Sequence, residues 1–134
     1  MHPYQPSQLA GFRRQIEEAV EWAQANKLEV MRNCWSLGTV NGVKSCAQMG
    51  FCCPLGAVLL RAHPKGLNPQ KWSCLASAKI LGASNDFVAG FIAGYEGHLV
   101  GPGLTAHHLQ GCRMGGQFRK VHARRGKRSV SRSA

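Results

Sequence analysis

The last 24 residues of the chain, 111–134, carry eight basic side chains and no acid, and nothing else in the sequence constrains folding as tightly. Arg113, Arg119, Lys120, Arg124, Arg125, Lys127, Arg128 and Arg132 form a like-charge block. Such a block repels itself and resists compaction until an anionic surface neutralises it. The core must therefore come from residues 1–110, where nine basic and six acidic side chains nearly balance. At 134 residues and 44% hydrophobic, the chain suits one packed domain and is too short for two independent cores. The expected organisation is a small globular domain over 1–110 and a flexible basic Gly/Arg-rich tail over 111–134.

Within the body, the spacing of apolar residues predicts mostly helices. Leu9, Phe12, Ile16, Ala19, Val20 and Ala23 recur in steps of three and four, one stripe of a helix from Ser7 to Asn26. Ser7 is the expected N-cap, and Arg13–Glu17 and Arg14–Glu18 are pairs four apart on the solvent side. Asn41-Gly42 between Val40 and Val43 is a type I′ turn signal, which predicts a hairpin with strands near 33–40 and 43–49. Its core face would hold Trp35, Leu37 and Cys46.

Three further helices follow. Pro54 opens one that carries Leu55, Val58, Leu59 and Ala62 and must stop before Pro64. Asn68-Pro69 opens the next, with Trp72, Leu75, Ala76 and Ile80 inward and Gly82 closing it. Ser84 caps the third, with Asp86 in its first turn and Phe87, Val88, Phe91, Ile92 and Tyr95 inward. Gly90 and Gly94, four apart, mark a close helix contact on that element. Beyond Gly97, frequent glycines leave room for one short helix near 105–110, and residues 117–128 would turn helical only on a partner. The fold class expected is α+β, mostly α: an N-terminal helix, a two-stranded β-hairpin, three packed helices and the tail.

No hydrophobic run approaches the roughly 18 residues that span a bilayer, and no basic segment followed by an apolar core marks a secretory signal. The six cysteines are therefore expected as reduced thiols in a cytoplasmic protein.

The order of these signals, with Cys53-Pro54-Leu55-Gly56-Ala57, Leu81-Gly82 and Phe91-Ile92-Ala93-Gly94-Tyr95, resembles a group of small uncharacterised bacterial and phage-encoded domains with a Cys-Ala-Leu-Gly-Ala signature. The resemblance covers about residues 8–97, with Pro54 where the signature has Ala and no Trp-Asn-Asp after Ile92. It implies a compact α-rich fold and a bacterial or mobile-element origin, and it brings no catalytic residue.

Three constellations bear on chemistry. The tail is the electrostatic footprint of a phosphate-backbone binder, six of its eight charges being Arg, with Phe118 and His122 as candidate stacking rings. No base-reading motif accompanies it, so little sequence specificity is expected. His108 and Cys112 are four apart, near His98 and His107, and Cys46, Cys52 and Cys53 offer sulfur; the spacing lacks the paired Cys-x2–4-Cys units of structural zinc, and no metal or cofactor is expected. Cys53 at a helix N-cap is where thiolate is favoured, with His98, His107 or His108 as candidate base and Asn85 or Asp86 to orient it, though the spacing fits no cysteine-hydrolase pattern. The expected function is a non-enzymatic, nucleic-acid-associated accessory protein gripping phosphates through the eight tail residues. Its partner is a DNA or RNA backbone, or else an acidic protein surface. The alternatives are a protein-interaction module, such as a phage-encoded inhibitor of a host nucleic-acid-handling complex, and a cysteine-dependent enzyme.

Overall fold

The computed structural model of the chain describes residues 2–31, 47–48, 50–63, 73–98 and 104–133, with side chains of the final helix described as far as Val121. The described residues are mostly helical, with a two-stranded parallel sheet among them. Helix α1 runs Pro6–Ala25 and buries Phe12, Ile16, Ala19, Val20 and Ala23, the stripe its spacing dictates. Its N-cap is Gln5 rather than the expected Ser7, which lies inside the first turn. Pro6 sits at the first helical position with its φ preset, and Gln8 Oε1 reaches back 2.8 Å to accept the Gln5 N–H. Arg13 and Glu18 of α1 meet other elements rather than each pairing along their own helix. Arg13 donates to Gln117 Oε1, and Glu18 pairs with Arg61 at 3.5 Å.

Lys27, in the left-handed region at φ 65, ends α1. Its N–H bonds Gln24 O at 3.1 Å and that of Leu28 bonds Ala23 O at 2.9 Å, the paired closure of a Schellman motif. The chain then enters β1 (Glu29–Val30), which pairs in parallel with β2 (Phe51–Cys52) in the register Glu29↔Phe51 and Val30↔Cys52. Parallel strands need a crossover of a dozen or more residues, and 31–50 supply it. Most of the expected hairpin, 33–40 and 43–49, lies outside the described residues; Ala47 and Gln48, inside its second strand, are helical.

Helix α2 (Pro54–Ala62) starts at Pro54, buries every residue through Leu59 and ends on His63 before Pro64, as its flanking prolines require. The Asn68-Pro69 start lies outside the described residues. A 3-10 turn, Cys74–Ala76, capped by Ser73, leads into α3 (Ser77–Leu81), which Gly82 closes at φ 73. The tight turn rotates the inward face. Cys74, Ser77, Ala78 and Leu81 are buried, while Leu75, expected inside, is 44% exposed. Ser77 is accommodated because its hydroxyl donates to Cys74 O at 2.7 Å. Helix α4 (Asn85–Glu96) starts as expected, with Ser84 Oγ accepting from Phe87 N at 3.2 Å, and Gly97 closes it at φ 80.

The largest departure is α5, a single helix over Ala106–Ser133. The globular part therefore does not stop near residue 110. Met114 is 3% and Phe118 7% exposed, both in the core, and Phe118 packs on Phe91 with ring centroids 5.4 Å apart. The reason is a backbone-to-backbone seam with α4. A Cβ on Gly90 would overlap His108 O, and one on Gly94 would overlap Cys112 O. Reciprocally, a Cβ on Gly111 would overlap Phe87 O, and one on Gly115 would overlap Phe91 O. Four glycines, two per helix at four-residue spacing, let each helix present Cα–H groups to the other's carbonyls. Small residues and inward Phe91, Tyr95, Met114 and Phe118 compensate for the intrinsic helix penalty of glycine.

This seam sets a contrast among glycines of the same type. Gly111→Ala should lower stability, overpacking at about 1–3 kcal/mol outweighing a propensity gain of about 1 kcal/mol. Gly11→Ala and Gly116→Ala, where nothing lies within 4 Å of the added carbon, should raise it. Thermal unfolding followed by circular dichroism reads the opposite signs.

Candidate nucleic-acid interface

The start of α5 is locked by the N-terminal segment. Tyr4 N donates to Gln110 Oε1 at 2.9 Å, and Gln110 Nε2 donates to Tyr4 O at 3.0 Å. The Tyr4 ring stacks on His107, centroids 3.9 Å apart, and its hydroxyl accepts from Ser84 N at 2.8 Å. His107 is buried and spends both ring nitrogens. Nε2 lies 2.8 Å from His2 O, which only accepts, so Nε2 carries the proton; Nδ1 then accepts from Ser84 Oγ at 2.8 Å. Ser84 thus caps α4 and ties it to α5 with one hydroxyl. His107 is a structural clasp and is not placed to act as a base.

With α5 held in this way, its basic residues fall into distinct groups. Arg113 and Lys120 are exposed, and neither makes an ion pair among the described residues. Arg119 is half-buried, its guanidinium against Gly97 at the left-handed end of α4. There a cation complements the negative end of the helix dipole, and α4 has no basic residue of its own in its last turn. Arg119 therefore also has a structural place. Arg124, Arg125, Lys127, Arg128 and Arg132 belong to the same helix, and their side chains fall outside the described residues. The 3.6-residue repeat lines up positions 113, 120, 124 and 127 on one face. Phe118 is withdrawn from the set of stacking rings, because it is spent in the core against Phe91. His122 lies outside the described side chains.

The remaining sequence candidates disperse. Cys46 is outside the described residues, Cys52 and Cys53 are buried at the β2–α2 junction, and His98 is exposed just beyond α4. Among the described residues no three His, Cys, Asp or Glu side chains converge as metal ligands. Asp86 accepts from Thr105 Oγ1 at 2.9 Å, a bond that fixes the approach to α5 instead of orienting a histidine. Burial pushes the Cys112 thiol above its ordinary range, the opposite of an activated nucleophile.

A groove of ≈ 360 Å³ between α1 and α5 has no counterpart among the sequence expectations. Val20, Phe118 and Val121 give it apolar surface, and Arg13, Glu17, Glu21 and Gln24 line its α1 side. Val121 is 51% exposed there. The recurrence of His107, Gly111, Met114, Gly115 and Phe118 at helical spacing is the signal that could have revealed both α5 and this groove. Among the described residues no helix is long and apolar enough to cross a membrane. No family model, no curated protein and no solved structure matches the chain.

Two outcomes follow from this geometry. Phe118→Ala should cost about 3–5 kcal/mol of stability by chemical denaturation, as a core ring is removed and not a tail residue. Iodoacetamide labelling assigned to Cys112 by peptide mass should reach half its maximal rate only above the ordinary thiol range, because burial disfavours the thiolate.

Proposed function

We propose that the protein is a small nucleic-acid-associated accessory protein that grips the phosphate backbone with little sequence specificity. The observation that carries this reading is the exposed pair Arg113 and Lys120 on one face of α5, a helical row on which positions 124 and 127 also fall. From 113 to 127 the row covers roughly 21 Å at about 1.5 Å per residue, long enough to follow several phosphates. The formal net charge of +11 adds long-range attraction for a polyanion. By the same helical repeat positions 125, 128 and 132 fall together on one flank of the row, while Arg119 shares its charge with the end of α4. The absence of a base-reading motif in the sequence is the ground for expecting affinity without specificity.

A second reading, a protein-interaction module, is favoured by the groove between α1 and α5. Its apolar surface and the carboxylates of Glu17 and Glu21 on its α1 side suit a cationic, partly apolar segment of another protein.

Affinity for nonspecific duplex and single-stranded oligonucleotides, measured by fluorescence anisotropy across salt, separates the two. Binding should weaken steeply with salt, by a slope of about −0.9 per neutralised phosphate on duplex. Replacing Arg113, Lys120, Arg124 and Lys127 with Gln should flatten the slope by about 0.9 for each phosphate no longer neutralised. A chain ending after Val121 keeps Phe118 in the core and should bind far more weakly. Full affinity in both variants would overturn the proposal, and a protein partner retained in high salt would support the second reading.

A further inference from the structure

We propose that Cys53 and Cys74 form an oxidisable thiol pair, a modification site whose substrate is a small two-electron oxidant of the hydroperoxide class. Cys53 lies between β2 and α2, and Cys74 opens the 3-10 turn before α3. The fold brings their sulfurs to 3.3 Å across 21 positions of sequence. A disulfide bond is about 2.05 Å long, so closure needs a movement of roughly 1.3 Å. Both residues stand at the ends of helical elements, where a small backbone shift breaks no interior helix bond. Each is only 4% exposed, so the oxidant has to be as small as hydrogen peroxide rather than a bulky disulfide such as glutathione disulfide.

Cys53 is the sulfur expected to react first. It accepts the Gly56 N–H at 3.3 Å at the N-terminus of α2, a contact that steadies an anionic sulfur. Its thiolate attacks one peroxide oxygen, the O–O bond breaks, and hydroxide leaves and takes up the proton released by the thiol as water. Cys53 is then a sulfenic acid. The Cys74 sulfur attacks it, the S–S bond forms and the S–O bond breaks, and hydroxide leaves with the Cys74 proton as a second water. Two thiols are oxidised to one disulfide while one peroxide is reduced to two waters. The bond would staple the β2–α2 junction to α3, independently of the cationic face of α5.

The test uses the full, reduced chain treated with hydrogen peroxide, then alkylated in denaturant and digested without reductant. Two of the six thiols should become unreactive to the alkylating agent, with a mass loss of two hydrogens and a cross-linked peptide joining Cys53 to Cys74. Cys46, Cys52 and Cys53 share one tryptic peptide, so fragment ions that break the backbone between them assign the link, and a Cys46→Ser, Cys52→Ser chain repeats the assignment. In Cys74→Ser, dimedone should trap a sulfenic acid on Cys53. The oxidised wild-type chain should unfold at a higher temperature than the reduced one and revert with dithiothreitol. Six thiols surviving the treatment, or a dominant link to any other cysteine, would overturn the proposal, and that mapping needs no variant to fold.

Discussion

The structure rests on the contact between α4 and α5, where four glycines let two backbones meet without side chains between them. At such a seam the usual hydrophobic packing is replaced by carbonyl groups facing Cα–H groups, flanked by rings that close the space. Everything that gives α5 its direction derives from that approach. Phe118 reaches Phe91, Arg119 meets the end of α4, and Arg113 and Lys120 are left on the outer surface. The cationic face is therefore rigid over its first turns, and a rigid charged row loses less conformational freedom on binding than a floppy tail does.

How far this was legible depends on the kind of signal. Apolar stripes on α1 and α4 declared themselves because large side chains recur at 3.6-residue spacing and have one physical meaning. Pro54, Ser84 and Gly82 marked element ends for equally local reasons, namely a preset φ, a hydroxyl acceptor and a left-handed turn. Gly90 and Gly94 were also readable as a close helix contact. Their partners were not, because Gly111, Gly115 and Gly116 carry two opposite meanings. Glycine breaks an isolated helix and permits an unusually close helix pair, and only tertiary context decides which applies.

The candidate site shows the same division. Charge is additive and needs no fold, so the basic residues were found from sequence, including the exposed pair that matters most to the proposed function. What those residues touch is a property of three dimensions. Arg119 against Gly97, Phe118 in the core and His107 between Ser84 and His2 meet partners that lie many helical turns away along the chain. No local pattern announces such contacts. The acidic residues of the groove were hidden for a related reason, since Glu17 and Glu21 read in isolation as an ordinary solvated helix face.

The clasp at Tyr4 has a bearing on the order in which the molecule assembles. Its bonds to Gln110 join positions 106 apart, whereas α4 and α5 are near neighbours along the polypeptide. Short-range pairs close quickly, and long loops delay the contacts that depend on them. As the chain leaves the ribosome, α1 emerges well ahead of α5, yet the anchor at its leading end has nothing to hold until that last helix has appeared. The N-terminal strap is thus made early and fastened late.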